Sequence, residues 1–401
     1  MLLQSSPRIS VITPAYRSQD TLPAALLSLL AQNESRWESI VVDDGSPDES
    51  ARIVERFARD DARFRLVRQE NAGACAARNT GLAVARGTFV LFLDADDWLE
   101  PNALAVLSDA CKGRRRIAAH GLFRYAKPEG KPTLWTGGNP GGKPLFTALA
   151  SSNILSVPSC VMLRRSVLDE VGAFDPSLAH CGDWDLWGRV ARVAGPGQTQ
   201  YVDRCVTGYR MRPTSLSRSP QTLLRDGTEV LRRLHSPDPR VKRPAHAFAA
   251  GDDPSELPAR TAGFTLYAAG LSLAMGDGAK AESLLDSIDP WPALIPTDAA
   301  GYLLYAMCFA RCHSPREAGV LWPELREPAR ELLEKLESRS RKPGLAEKVL
   351  NAMSELSDAA IPRVCRQVVE PVIVTRSCTD TLAFEYLRNL ARMDHGNWAA
   401  G

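Results

Sequence analysis

The chain has 401 residues, 44% of them hydrophobic and 24% charged, with a formal net charge of +2. These values exclude a disordered chain, and the near-neutral balance gives no global field for a nucleic-acid polymer. The length suggests two or three domains of ordinary size.

The opening Met1-Leu2-Leu3-Gln4-Ser5-Ser6-Pro7-Arg8 lacks the basic and apolar regions of a signal peptide. No apolar run reaches the length of a membrane span. Nine scattered cysteines suit a reducing compartment. The expected location is therefore the cytoplasm, with at most peripheral contact at the inner face of a membrane. Basic runs at Lys112, Arg114, Arg115 and Arg116, and at Arg240, Lys242 and Arg243, read as solvated surface. Cys308 and Cys312, beside His313, have helical spacing in an apolar stretch and read as buried core rather than metal ligands.

Strand and helix signals alternate through the first hundred residues. Residues 9–12 form a short apolar strand, followed by capping signals at Asp20 and Thr21 and a helix opened by Pro23. A strand at 37–42, a helix at 50–59, a strand at 64–67, an Ala-rich helix at 74–85 and a strand at 88–93 follow. The pattern predicts an α/β fold with a mostly parallel sheet and helices on both faces. The Gly- and Pro-rich stretch from Lys127 to Pro144 reads as a loop.

Beyond residue 220 the chain is mainly helical, with a linker to residue 258 and an all-α domain over 259–401. Gly263-Phe264-Thr265-Leu266-Tyr267-Ala268 recurs as Gly301-Tyr302-Leu303-Leu304-Tyr305-Ala306. Two helix–turn–helix units at this period are similar to tetratricopeptide stacking, with a plain helical bundle as the alternative. Such a module scaffolds a homodimer or docks a partner more often than it does chemistry.

The most informative segment is Phe89-Val90-Leu91-Phe92-Leu93-Asp94-Ala95-Asp96-Asp97, an apolar strand running straight into three aspartates. In open α/β sheets, ligands bind beyond the carboxyl ends of the strands. Carboxylates crowded there repel one another, and a hard cation such as Mg²⁺ or Mn²⁺ relieves the repulsion while bridging to substrate phosphates. A solvated acidic turn is the competing reading.

Other motifs stand in order around this one. They are Val11-Ile12-Thr13-Pro14-Ala15-Tyr16, Val42-Asp43-Asp44-Gly45-Ser46, Asn71-Ala72-Gly73 leading to Arg78-Asn79, and Gly182-Asp183-Trp184-Asp185-Leu186-Trp187. Over residues 8–220 this order resembles the inverting family 2 glycosyltransferases of GT-A fold. The resemblance implies transfer of a sugar from a nucleotide-diphosphate donor, with a UDP-sugar expected, to a glycan, lipid-linked or peptide acceptor. It also implies a donor site from Pro14, Ala15, Tyr16, Asp43, Asp44, Arg78, Asp94, Ala95 and Asp96, with Mn²⁺ or Mg²⁺ on Asp96 and Asp94.

In that family an aspartate in a Glu-Asp-x-Asp-Leu-Trp segment removes the acceptor proton. Here it corresponds to Asp183, with Trp184 beside it as an acceptor platform, and Gly182 stands where the glutamate is usual. Asp183 and Asp185 are also simple helix-capping candidates. The family's Tyr-Arg-x-His segment reads Tyr209-Arg210-Met211-Arg212, with arginine at the histidine position, where a diphosphate clamp by Arg210 or Arg212 is chemically sensible and a metal ligand is not assigned. Two rivals stay open: a catalytically degenerate scaffold of the same fold, and a sugar nucleotidyltransferase. The second would carry a Gly-rich loop where Thr13-Pro14-Ala15-Tyr16 stands.

Overall fold

Three βα units come first: β1 (Ile9–Ala15), α1 (Leu22–Leu30), β2 (Trp37–Asp44), α2 (Ser50–Asp60), β3 (Phe64–Gln69) and α3 (Ala74–Ala83), then β4 (Phe89–Phe92). The computed structural model describes residues 6–113, 115–212, 219–313 and 317–358. Arg114, residues 213–218 and the 359–401 end of the expected helical domain lie outside them.

β1 pairs in parallel with β2 and β4, and β2 with β3. Val11, Ile12, Ile40, Val41, Leu91 and Phe92 are fully buried, as expected where helices cover both faces of a parallel sheet. Parallel pairing also brings the carboxyl ends of these strands to one edge. α3 packs closely on β1, because a Cβ on Gly81 would lie 2.5 Å from Ile12 Cγ2.

Beyond β4 the sheet becomes mixed. The chain continues through β5 (Trp98–Leu99), α4 (Ala103–Ala110), β6 (Ala118–Ala126), β7 (Pro132–Gly137), α5 (Leu145–Ser151), β8 (Val161–Arg164), α6 (Leu168–Val171), α7 (Gly182–Val193) and β9 (Thr199–Arg210). The sheet order is β3-β2-β1-β4-β8-β6-β9-β5, with β7 added to β6. β8 is antiparallel to both β4 and β6, and β9 runs parallel to β6 and antiparallel to β5. The stretch expected as a loop therefore contains an edge strand. Gly130 at φ +82° and the Lys127 N–H to Lys131 O bond of 2.9 Å close a turn that folds β7 back on β6.

Six helices complete the described chain: α8 (Pro220–Leu234), α9 (Leu257–Ala274), α10 (Gly278–Leu285), α11 (Pro296–Ala310), α12 (Ala318–Ser340) and α13 (Leu345–Asp358). The repeated segments lie on α9 and α11, which pack together; a Cβ on Gly263 would sit 2.4 Å from the Tyr302 ring. The hydrophobic core runs without a break from the sheet into these helices. Tyr125 and Tyr305 hydroxyls meet at 2.8 Å, Trp184 packs on Phe264 with ring centres 5.6 Å apart, and Lys127 pairs with Glu317 at 3.0 Å. Cys308 and Cys312 are buried core residues, as expected. No helix among the described residues is long and apolar enough to cross a membrane.

Candidate active site

The acidic turn begins where β4 ends. Leu93 N–H still bonds Ile12 O at 2.9 Å, and Asp97 N–H then closes onto Asp94 O at 3.1 Å. Asp94 receives the Arg78 guanidinium at 2.6 Å, delivered from the first half of α3. Arg78 is buried, with Phe174 below its guanidinium at 5.2 Å. Burial works against its charge, but Asp94 and Asp183 both act to hold the proton.

Asp44, expected to read a nucleotide, is committed elsewhere. Its carboxylate accepts from Gln69 Nε2 at 2.8 Å and from the Ala72 and Gly73 N–H groups at 2.9 Å each. It therefore fixes the loop that enters α3, as a short acidic residue at a helix start does. Asp43 is nearly buried and accepts from Ser46 N–H at 3.2 Å. Ala15 and Ala95 are buried, whereas Tyr16 is 45% exposed with the Arg17 guanidinium over its ring at 5.4 Å. Of the residues expected around a base, Tyr16 is the one presenting a free apolar face.

The end of β9 grips the same acidic turn from the other side. Arg210 donates its N–H to Asp97 Oδ1 at 3.1 Å and its Nε to Asp96 O at 3.1 Å, while Nη1 reaches Pro128 O at 3.0 Å. Arg212 pairs with Asp96 Oδ2 at 2.8 Å. Arg210 is thus a bracket of the turn, and Arg212 touches the carboxylate directly. Burial, aided by repulsion from Asp96 and Asp94, pushes Asp97 well above the usual carboxylate range. Burial likewise raises Asp96, with Arg212 opposing it.

α7 supplies Asp183. Its N-cap residue, Cys181, holds the left-handed conformation at φ +57°, which turns the chain sharply into the helix. Burial pushes the Asp183 carboxyl up to about 6, while Arg78 and the Trp184 N–H pull it down. The turn thus lies where Arg78 feels Asp183 and Asp94 together. Gly182 is explained by packing, since a Cβ there would lie 2.4 Å from Cys75 Sγ. The space a glutamate stem would enter is filled by that thiol.

Two expectations for this helix need correction. Trp184 is 1% exposed and donates Nε1–H to Leu149 O at 2.9 Å, so it is core and offers no face to an acceptor. Asp185, a capping candidate in the sequence, does not cap the helix. It is buried and held by Arg189 at 2.8 Å, Arg233 at 2.9 Å and Arg240 at 2.8 Å. Arg240, expected on the solvated surface, belongs to this network. Sequence reading also missed Phe174, whose N–H and O both bond the Asn79 side chain and so fix the ring beneath Arg78. No local motif signals it.

Among the described residues no three or more His, Cys, Asp or Glu gather as a metal cluster. Among the described residues, Asp94 and Asp96 are the carboxylates expected to meet a Mg²⁺- or Mn²⁺-type ion, which takes one or two protein carboxylates and completes its shell with phosphate and water oxygens, and here each is paired with an arginine.

Residues 10–172 match the glycosyl transferase family 2 model. The matched segment contains the acidic turn, Asp43, Asp44 and Arg78, and stops short of Asp183, Arg210 and Arg212. Over 121 residues, 30% of the chain, it is 44% identical to the uncharacterized glycosyltransferase EpsJ of Bacillus subtilis, covering 35% of that protein. It is 42% identical over 124 residues, 31% of the chain, to glycosyltransferase GlyA of Streptococcus pneumoniae, covering 18% of it. The chain thus spans about a third or less of the length of these relatives. Among solved structures, TarS 1–349 of S. aureus in complex with UDP-GlcNAc superposes with a TM-score of 0.49 at 18% identity, covering 87% of this chain and 90% of that one.

Proposed function

We propose that the chain is an inverting glycosyltransferase that moves a sugar from a nucleotide-diphosphate donor to a hydroxyl of a glycan, lipid-linked or peptide acceptor. The family 2 match and the glycosyltransferase relatives support the class. The observation that carries the reading is the gathering of Asp94, Arg78 and Asp183 beyond the strand ends, with Asp183 raised to about 6. A carboxyl tuned towards neutrality is suited to accept a proton at ordinary pH.

In this reading Tyr16 stacks on the base and Asp43 borders it. Arg78 and Arg212 meet the diphosphate as charge-assisted donors. Asp94 and Asp96 would hold a divalent cation, whose chemistry there would be Lewis-acid stabilisation of the departing diphosphate. Asp183 takes the acceptor proton on the far side of the anomeric carbon. Arg210 and Asp44 keep the turn and the α3 entry in place. The donor is read as a UDP-sugar and the setting as cytoplasmic, with at most peripheral membrane contact. The catalytic unit is read as residues 1–220, joined through a 221–258 linker to a tetratricopeptide-like region that positions the acceptor or pairs two copies.

The test is Asp183→Asn. Transfer should fall by about two to four orders of magnitude, the usual span of general-base catalysis, with donor affinity nearly unchanged. Normal transfer, or loss of donor binding instead, places the base elsewhere.

A further inference from the structure

The geometry points to Arg212 as a latch on Asp96 that couples entry of the cation to arrival of the donor, an inference that rests on the nucleotide-sugar reading above. Both carboxylates suited to the cation are already engaged by guanidinium groups: Asp94 by Arg78 at 2.6 Å and Asp96 by Arg212 at 2.8 Å. The two arginines are held differently. The Arg78 side chain is 10% exposed and anchored within α3, whereas the Arg212 side chain is 30% exposed and lies just past the end of β9. Arg210 fixes the strand end through three hydrogen bonds. Arg212 therefore leaves Asp96 by side-chain rotation, with the turn undisturbed.

A second observation points to a ligand. The donors Arg78 Nε and Arg212 Nε are buried without a partner among the described residues. Buried donors with no acceptor are unfavourable, and phosphate oxygens satisfy the Nε–Nη edge of an arginine in a bidentate manner. A guanidinium and a divalent cation compete for Asp96 through charge and space. A diphosphate resolves the competition, because it draws Arg212 away and adds oxygen ligands for the cation. Nucleotide and cation then bind with positive linkage, each raising the affinity of the other by the same factor. A histidine at this position, neutral near pH 7, would impose no such competition.

The test titrates Mn²⁺ into the full chain and reads protein-held Mn²⁺ by water-proton relaxation, alone and with UDP or inorganic pyrophosphate. Wild type is expected to hold Mn²⁺ weakly alone and about tenfold or more tightly with either probe. Arg212→Ala should hold Mn²⁺ alone about three- to tenfold more tightly than wild type, yet bind UDP about tenfold more weakly. Arg212→Lys, which keeps the charge and loses the fork, should move both affinities the same way by less. Opposite movement of the two affinities is not a result that mere unfolding produces, and melting curves identify any variant that fails to fold. If Arg212→Ala does not fold, Arg212→Lys decides. Mn²⁺ binding that is independent of both probes, or unchanged in the variants, overturns the latch and leaves the donor reading standing. No Mn²⁺ held by any form with either probe overturns both.

Discussion

In the proposed function, Asp183 owes its role as base to its burial. With the carboxyl raised to about 6, the side chain is ionised above that pH and protonated below it. Transfer should therefore fall about tenfold per pH unit as pH drops below about 6, and Asp183→Asn should abolish that limb of the profile. The same shift has a stability consequence of defined sign. A carboxyl raised above its unfolded value near 3.9 binds protons more readily in the folded state, so its contribution falls as pH rises from about 4 to about 6. Asp183→Asn should accordingly melt at or above the wild-type temperature at pH 7 while losing transfer. Beside it, Gly182→Glu should destabilise by about 1–3 kcal/mol through collision with Cys75 Sγ, and Cys75→Ala should restore most of that loss in a double-mutant denaturation series. The acidic turn was legible in the sequence because three aspartates directly after an apolar strand stand out from an ordinary turn. Asp44 and Trp184 were not. An aspartate serving a loop and one serving a ligand look alike in sequence, and only the three N–H donors around Asp44 separate them.

At the scale of elements, α7 is held by a charge network rather than by capping. Asp185 lies 1% exposed between Arg189 on its own helix, Arg233 at the end of α8 and Arg240 in the linker. Removing the carboxylate strands a buried Arg189, so Asp185→Ala should cost about 3–5 kcal/mol in denaturant unfolding. Loss of transfer should then track loss of folded protein, in contrast to the selective loss in Asp183→Asn. The alternating βα pattern of the first hundred residues was readable to within a few residues, because each of β1 to β4 carries a short apolar stretch, Val11-Ile12, Ile40-Val41-Val42, Leu66-Val67 and Phe89-Val90-Leu91-Phe92. The turn back from β6 into β7 was not, since Gly and Pro mark an irregular loop and a tight hairpin alike. Arg240 was misplaced for a related reason. Basic residues in a linker read as solvated until the fold brings distant carboxylates to them.

For the whole molecule, the helical region and the sheet share one core. Phe264 covers Trp184, Phe309 stacks on Tyr209 with ring centres 6.2 Å apart, and Tyr305 bonds Tyr125. A chain ending near Ser236 should therefore expose apolar surface and aggregate or melt earlier in calorimetry and sizing measurements, rather than yield an independent catalytic domain. The repeat on α9 and α11 was visible in the sequence, but its docking against β6 and β9 was not, because helix periodicity gives an apolar face without naming what covers it. In the proposed function the acidic turn, Arg78 and Arg212 together receive a nucleotide-diphosphate sugar. That reading is tested most directly by nucleoside diphosphate release from a panel of nucleotide sugars with Mn²⁺, comparing wild type with Asp96→Ala. Turnover of one donor class by wild type, lost in Asp96→Ala and in EDTA, is the predicted result; no turnover of any donor, or equal turnover by the folded variant, would contradict it.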